Sequence, residues 1–282
     1  MRVTFCGTRG STPAPGPEYI RYGGHTSCVA LAHDGDTPPL PTLILDAGTG
    51  LRRLPELLGD RPFRGTVLLT HLHWDHVQGL PFFGSGDRND ARVTLFLPSD
   101  ESDTDAEQLL ERMMSPPFFP IAPSQLRGDW TFGVIPCGTF EAEGFTVVAI
   151  DVPHKGGRTV GFRVSDGHSS LAYIPDHCPT ALGPGPEGIG EYHEAALELA
   201  RDVDLLIHDS HLRSEEVARE GSFGHAAAEY AVGLGVMAGA DTVALFHHRP
   251  ERDDAEVDLT LCRFTQSAVP VIGAHEASTL AL

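Results

Sequence analysis

Apolar and β-branched residues gather in short runs, each closed by a turn signal, and the runs alternate with stretches of helical periodicity. Residues 2–5, 42–46 and 66–70 read as strands in the first half of the chain, and 29–32 is an apolar run. Residues 145–150, 159–164, 171–176, 204–207 and 242–246 read as strands in the second half, which repeats the first in outline. Helices are predicted over 51–58, 192–200, 226–238 and 253–266. Between Gly79 and Asp129 the pattern breaks down: Leu80-Pro81-Phe82-Phe83 and Met113 to Pro120 carry aromatics and methionines bracketed by prolines, around an acidic stretch at 100–105. That composition suits a lid-like insertion over about 80–130, a dimer contact, or plain core packing. The alternation predicts an α/β layered domain with polar groups collected along one sheet edge.

Composition narrows the setting. The 282 residues carry 20 Lys+Arg against 39 Asp+Glu, a formal net charge of −19, which repels polyanions and argues against a long nucleic-acid partner. No run approaches the roughly 18 apolar residues of a membrane span, and the first residues lack a charged leader followed by an apolar core, so a cytoplasmic protein is expected. The cysteines (Cys6, Cys28, Cys137, Cys178 and Cys262) are odd in number and never spaced as CxxC, which favours free thiols over disulfides.

The chemistry concentrates in His71-Leu72-His73-Trp74-Asp75-His76, directly after the strand at 66–70. Three imidazoles and a carboxylate at this spacing suit zinc, iron or manganese, whereas four such groups in an ordinary core would each need a hydrogen-bond partner. If His71 and His73 leave the strand side by side while Asp75 and His76 turn onto the next segment, the stretch can serve two ions. Asp46 closes the preceding strand and is expected to orient a metal-bound histidine. The loops 7–13 and 21–28 either place backbone N–H groups around an anion or simply turn.

In identity and order, Asp46 in LDAGTG, HLHWDH at 71–76, His154 before two glycines, Asp176 at a strand end and His247 at a later one resemble the five motifs of the metallo-β-lactamase superfamily. GTRGSTPAPG, RYGGHTSC, HLHWDHVQGLPFF, Gly224-His225 and LFHH look more narrowly like its ribonuclease Z and cyclic-phosphate phosphodiesterase branch. The resemblance implies a four-layer αββα sandwich with two pseudo-equivalent halves, roughly 1–140 and 141–282 of a single domain. It also implies two divalent ions, zinc first and manganese or iron as alternatives. His71, His73 and His154 would hold one, Asp75, His76 and His247 the other, and Asp176 both. His247 is preferred to His248 because it follows the strand directly.

The implied activity is hydrolysis of a small cyclic or linear phosphodiester by a hydroxide held between the ions. Asp75 would orient the nucleophile or take its proton, and His225 would serve as general acid, oriented by Asp209. Ribonuclease Z clamps transfer RNA with a basic, glycine-rich arm that this sequence lacks, so a small anionic substrate is expected. Two alternatives stand: an ester, thioester or lactone hydrolase, and a non-catalytic metal- or ligand-binding accessory protein. Three departures from the family pattern bear on substrate binding: His25 for Asn, Lys155 for Pro, and Pro175-Asp176-His177-Cys178 for Thr-Asp-Thr.

Overall fold

The computed structural model describes residues 1–99, 105–185 and 187–282. The acidic stretch at 100–105 therefore lies outside the described residues except for Asp105, which caps a short helix by accepting from the Glu107 N–H at 2.9 Å. The strands in chain order are β1 Arg2–Gly7, β2 Cys28–Ala32, β3 Leu43–Leu45, β4 Arg64–Leu68, β5 Arg92–Leu97, β6 Asp129–Val134 and β7 Gly138–Ala142. They continue with β8 Phe145–Asp151, β9 Val160–Ser165, β10 Ser170–Ile174, β11 Leu205–Asp209, β12 Val243–Phe246, β13 Val271–Gly273 and β14 Thr279–Ala281. The helices are α1 Leu54–Leu58, α2 Trp74–Val77, α3 Ala106–Glu111, α4 Glu194–Ala200, α5 Ser214–Glu220, α6 Ala228–Ala238 and α7 Asp254–Cys262.

Two seven-stranded sheets result among the described residues, ordered β14-β1-β2-β3-β4-β5-β6 and β13-β12-β11-β10-β9-β8-β7. Strands β3 to β6 run parallel, as do β10 to β13. The period of two along each strand divides neighbouring side chains between layers. Leu68, Phe162, Leu205 and Ile207 fill the space between the sheets, whereas Val67 and Leu206 face outward under helices. The fold is an αββα sandwich, as the sequence implied, and α4 and α6 cover the outer face of the second sheet.

The four expected helices are present as α1, α4, α6 and α7 but are shorter, whereas α2, α3 and α5 lie outside the expected spans. The segment 51–58 splits into a 3-10 turn over Thr49–Arg53 and α1, because Pro55 has no N–H to continue a regular helix from above. Strand β5 lies inside the stretch where no regular element was expected. Its alternation of buried and half-exposed positions, with a polar Thr94, gives no continuous apolar run. Strands β6, β7, β13 and β14 were also missed. They lie at or beside sheet edges with largely half-exposed or exposed faces, which removes the usual signal.

Candidate metal centre

The histidines and aspartates gather at the carboxyl ends of the strands. Asp46 follows β3, His71 and His73 follow β4, His154 follows β8, Asp176 follows β10, Asp209 ends β11 and His247 follows β12. Asp75 and His76 sit on the single turn of α2, so His71 and His73 do leave the strand side by side while the other pair turns onto the next element. Asp46 and His247 hold positive φ (59° and 56°), a conformation in which Asp and His are among the tolerated non-glycine residues.

Asp46 is a buried hub. Its carboxylate accepts from Thr70 N (2.7 Å), the Thr70 hydroxyl (2.9 Å), His76 Nδ1 (2.7 Å) and the Tyr173 hydroxyl (2.9 Å). Because His76 gives its Nδ1 proton to Asp46, its Nε2 lone pair faces inward, toward Asp176 Oδ2 at 2.8 Å and His247 Nε2 at 3.3 Å. His154 repeats this logic: Nδ1 donates to the Gly224 carbonyl at 2.7 Å, and Nε2 faces His73 Nδ1 at 3.3 Å. The Thr70 hydroxyl, already donating to Asp46, accepts from His71 Nδ1 at 3.1 Å, and His71 Nε2 is left buried without a partner.

Inward-facing lone pairs of neutral imidazoles repel unless a cation lies among them, so the donor set fits divalent metal. Ligand atoms of His71, His73 and His154 lie within 4.8 Å of one another, as do those of Asp75, His76 and His247. His71, His76 and Asp176 form a third such group that joins the first two. Burial holds His71, His73 and His154 below their ordinary range and so keeps them neutral, the form that binds metal. Burial opposes charge on His76 too, but Asp75, Asp46 and Asp176 outweigh it and push the ring well up. Asp75 and Asp176 are in turn held low, against burial, by neighbouring imidazoles. Without metal, a proton on His76 balances the carboxylates. A dication is a stronger match for the same charge.

His248 points away from this cluster and hydrogen-bonds the Ala274 carbonyl at 2.8 Å through Nε2, leaving His247 as the strand-end histidine that faces Asp75 (3.0 Å). His225 and Asp209 meet: the ring's Nδ1 lies 3.2 Å from Asp209 Oδ2. Burial works against charge on His225, but Asp209 outweighs it and the ring is pushed up to about 9. His225 does not cap α6, whose preceding residue is Ala227. Among the family departures, Lys155 lines a cavity with His71, and Lys155 and Cys178 line another with His154. His25 packs on Thr49, and His177 turns into the core to meet His208 at 3.1 Å. The five cysteines are free.

Several site neighbours escaped the sequence reading. Ser11 N donates to Asp75 Oδ2 at 2.7 Å, so the loop 7–13 braces the centre instead of presenting that N–H to an anion. Fully buried Arg9 anchors the same loop through carbonyls of Gly23 (2.7 Å), Arg252 (2.7 Å) and Arg249 (3.1 Å). A Cβ at Gly10 would fall 2.2 Å from His247 Nδ1, which explains the glycine. His211 stacks on His225 with ring centres 4.2 Å apart. The aromatics of the 80–130 region divide: Phe83 is core, whereas Phe82 (60% exposed) and Phe118 (80%) line a cavity of about 490 Å³ with Arg112, Phe119 and Trp74 (76%), which also borders His73 and Asp75.

The layered fold and the histidine–aspartate centre define the class, and sequence comparison gives the family. The model of the beta-lactamase superfamily domain matches residues 42–248, and the chain belongs to that superfamily. Ribonuclease Z of Haloarcula marismortui is 24% identical over 88% of this chain and 86% of its own length, and ribonuclease Z of Gemmatimonas aurantiaca is 23% identical over 92% and 89%. Among solved structures, the metallo-beta-lactamase fold protein YhfI of Bacillus subtilis superposes with a TM-score of 0.72 at 16% identity, covering 99% of both chains. A diphosphatase of the PhnP family superposes with a TM-score of 0.68 at 17% identity, over 100% of this chain and 97% of the other. The short form of human tRNase Z gives 0.67 at 19% identity, over 100% and 99%. The protein is a metal-dependent hydrolase, and its fold implies divalent ions. No helix among the described residues is long and apolar enough to cross a membrane.

Proposed function

We propose that the protein is a binuclear phosphodiesterase acting on a small cyclic or linear phosphodiester, of the cyclic-nucleotide or phosphoribosyl cyclic phosphate type. The observation that carries this reading is the pair of ligand groups, His71, His73, His154 and Asp75, His76, His247, with buried Asp176 between them. Those seven residues would hold two divalent ions, and the nitrogen-rich set suits zinc first, with manganese or iron as alternatives. When bound, such a pair supplies an acidified water and positive charge for both oxygens of an in-line displacement at phosphorus.

The chain's own groups do the rest. Ser11 N–H fixes the Asp75 carboxylate, which orients the attacking water and can take its proton. His225 donates Nδ1–H to Asp209, leaving Nε2 to hand a proton to the departing oxygen. The carboxylate of Asp209 keeps that proton in place at neutral pH. In the cavity that they share, Trp74, Phe82 and Phe118 offer flat apolar faces of the kind on which a nucleobase stacks. The strongly negative chain favours a small anion drawn to a local positive centre over a long polyanion, although the curated relatives are ribonucleases.

The test is a substrate panel given to metal-quantified protein: adenosine 2′,3′-cyclic phosphate, a precursor tRNA and an acyl thioester. Preferred turnover of the cyclic phosphate is expected, with kcat reduced about a hundredfold or more in His225→Ala at unchanged metal content. Preference for the thioester would replace the phosphodiesterase reading. Preference for the tRNA would overturn the small-substrate assignment.

A further inference from the structure

A cavity of about 570 Å³ borders the centre at His154, and its wall comes from two loops and one face of α5. Val217, Ala218, Ala181 and Pro184 give it an apolar lining, with the Cys178 thiol beside them. It shares no lining residue with the cavity of Trp74, Phe82 and Phe118, nor with the space bounded by Ser11, His73 and Asp75. Its volume lies in the range of small-molecule pockets, about 300–1,000 Å³.

Both loops are fixed to the groups that do the chemistry. On one side Gly224, with φ 103°, accepts from His154 Nδ1 at 2.7 Å, and a Cβ there would press on the same ring at 3.2 Å. The next residue is His225, whose ring centre stands 5.5 Å from that of His154. On the other side, the loop after Asp176 is held by Cys178 N, which donates to the Pro153 carbonyl at 2.7 Å. The Thr180 hydroxyl donates to the Gly221 carbonyl at 3.4 Å and so ties the two loops together. Leu182 (51% exposed) and Phe223 (65%) adjoin lining residues in the chain, and both keep apolar surface in water. Apolar surface exposed next to an apolar cavity marks a place where an apolar group binds. A group bound there stands on the His154 and His225 side of the centre, whereas Asp75 faces a different space.

We propose that this cavity receives the group carried by the departing oxygen, so that the preferred linear substrates are phosphodiesters with an aryl or other apolar alcohol on that side. The assignment rests on the phosphodiesterase reading and specifies which linear diesters that reading admits. The water oxygen bonds to phosphorus as Asp75 takes its proton. The P–O bond to the alcohol breaks, its electron pair passes to the alcohol oxygen, and His225 Nε2 supplies the proton. Because His225 directly follows the loop that walls the cavity, the oxygen it protonates is the one whose substituent reaches Val217 and Ala218. Those residues and Ala181 set specificity and take no part in bond breaking.

An internal competition within one substrate, phenyl 2-naphthyl phosphate, tests the assignment, since its two arms differ by a single ring. Alkaline hydrolysis gives the reference ratio of 2-naphthol to phenol, set by the acidity of the two alcohols. The native enzyme should exceed that ratio about tenfold, because the added ring of the leaving arm is buried in the cavity. Ala181→Asp and Ala218→Asp, at exposed positions of the wall, place a carboxylate beside that arm and should return the ratio to the reference. Ala255→Asp, exposed on α7 and outside the lining, is the charge control and should keep the excess. A native ratio equal to the reference, an excess of phenol, or an excess of naphthol that survives both wall variants would overturn the assignment while leaving the phosphodiesterase reading intact. Naphthyl fluorescence follows binding of the same diester in parallel. Binding that both wall variants abolish, without release of either alcohol, would uphold the cavity as the aryl site and remove the phosphodiesterase reading. Neither binding nor hydrolysis of the diester would overturn the assignment outright.

Discussion

Asp46 touches no proposed substrate position, yet its removal should disable the second ion. The carboxylate satisfies four buried donors: Thr70 N, the Thr70 hydroxyl, His76 Nδ1 and the Tyr173 hydroxyl. Each donor left unpaired costs about 1–3 kcal/mol, but members of one network do not add, so Asp46→Ala should cost about 3–5 kcal/mol. Set against a typical total of about 5–15 kcal/mol, that loss would confuse unfolding with metal loss. Asp46→Asn is the sharper perturbation. It keeps the shape and one acceptor for Thr70, but it lacks the charge that fixes His76 with its proton on Nδ1. The imidazole then has reason to carry its proton on Nε2, toward Asp75, Asp176 and His247, where the lone pair is needed. Outer partners of this kind are worth about ten- to a hundredfold in metal affinity. Competition with a chromophoric zinc chelator measures the two dissociation constants, and a guanidinium melt checks the fold. One constant should weaken by that factor with the other nearly unchanged. An Asp46→Asn variant that loads both ions with native affinity would refute the argument that Asp46 sets the His76 tautomer.

Three further outcomes are expected. Gly156→Ala places a methyl group on His73 and strains a left-handed backbone position, so metal content should fall while thermal stability drops by about 1–3 kcal/mol, read by metal analysis and a denaturant melt. Asp209→Asn removes the charge that lifts His225 to about 9. A general acid works below its pKa and is lost as pH rises through it, so the alkaline limb of the kcat profile should move at least one unit toward acid, cutting kcat at pH 8 about twofold for a shift of one unit and about tenfold for two. Arg9→Met leaves three buried carbonyls without their guanidinium donor and should cost about 3–5 kcal/mol, measured by denaturant unfolding.

The legible part of this protein was the part written locally. A β-branched run followed by HLHWDH states both a strand end and its chemistry within a dozen residues, and the structure brings those groups to one edge with His154, Asp176 and His247. Asp46 could be read as an orienter because a strand-end carboxylate beside a metal stretch has few other uses. Partners separated by long loops were not legible: Ser11 reaches Asp75 across 64 positions, and Tyr173 reaches Asp46 across 127. Arg9 looked like part of an ordinary turn-rich loop, because nothing in its neighbourhood records that three distant carbonyls receive its guanidinium. The stretch from Gly79 to Asp129 misled for another reason. Strand β5 alternates faces instead of forming an apolar run, and Pro81, Phe82, Phe118 and Phe119 around it line a cavity beside Trp74.

The most direct measurement is hydrolysis of bis(p-nitrophenyl) phosphate as a function of bound metal, beginning with stripped protein and adding zinc, manganese or ferrous iron in separate titrations. Turnover should rise steeply only as the second equivalent per chain is taken up, and His73→Ala should lose both the first equivalent and the activity. Full activity at one equivalent, or hydrolysis that survives removal of all metal, would contradict a binuclear phosphodiesterase.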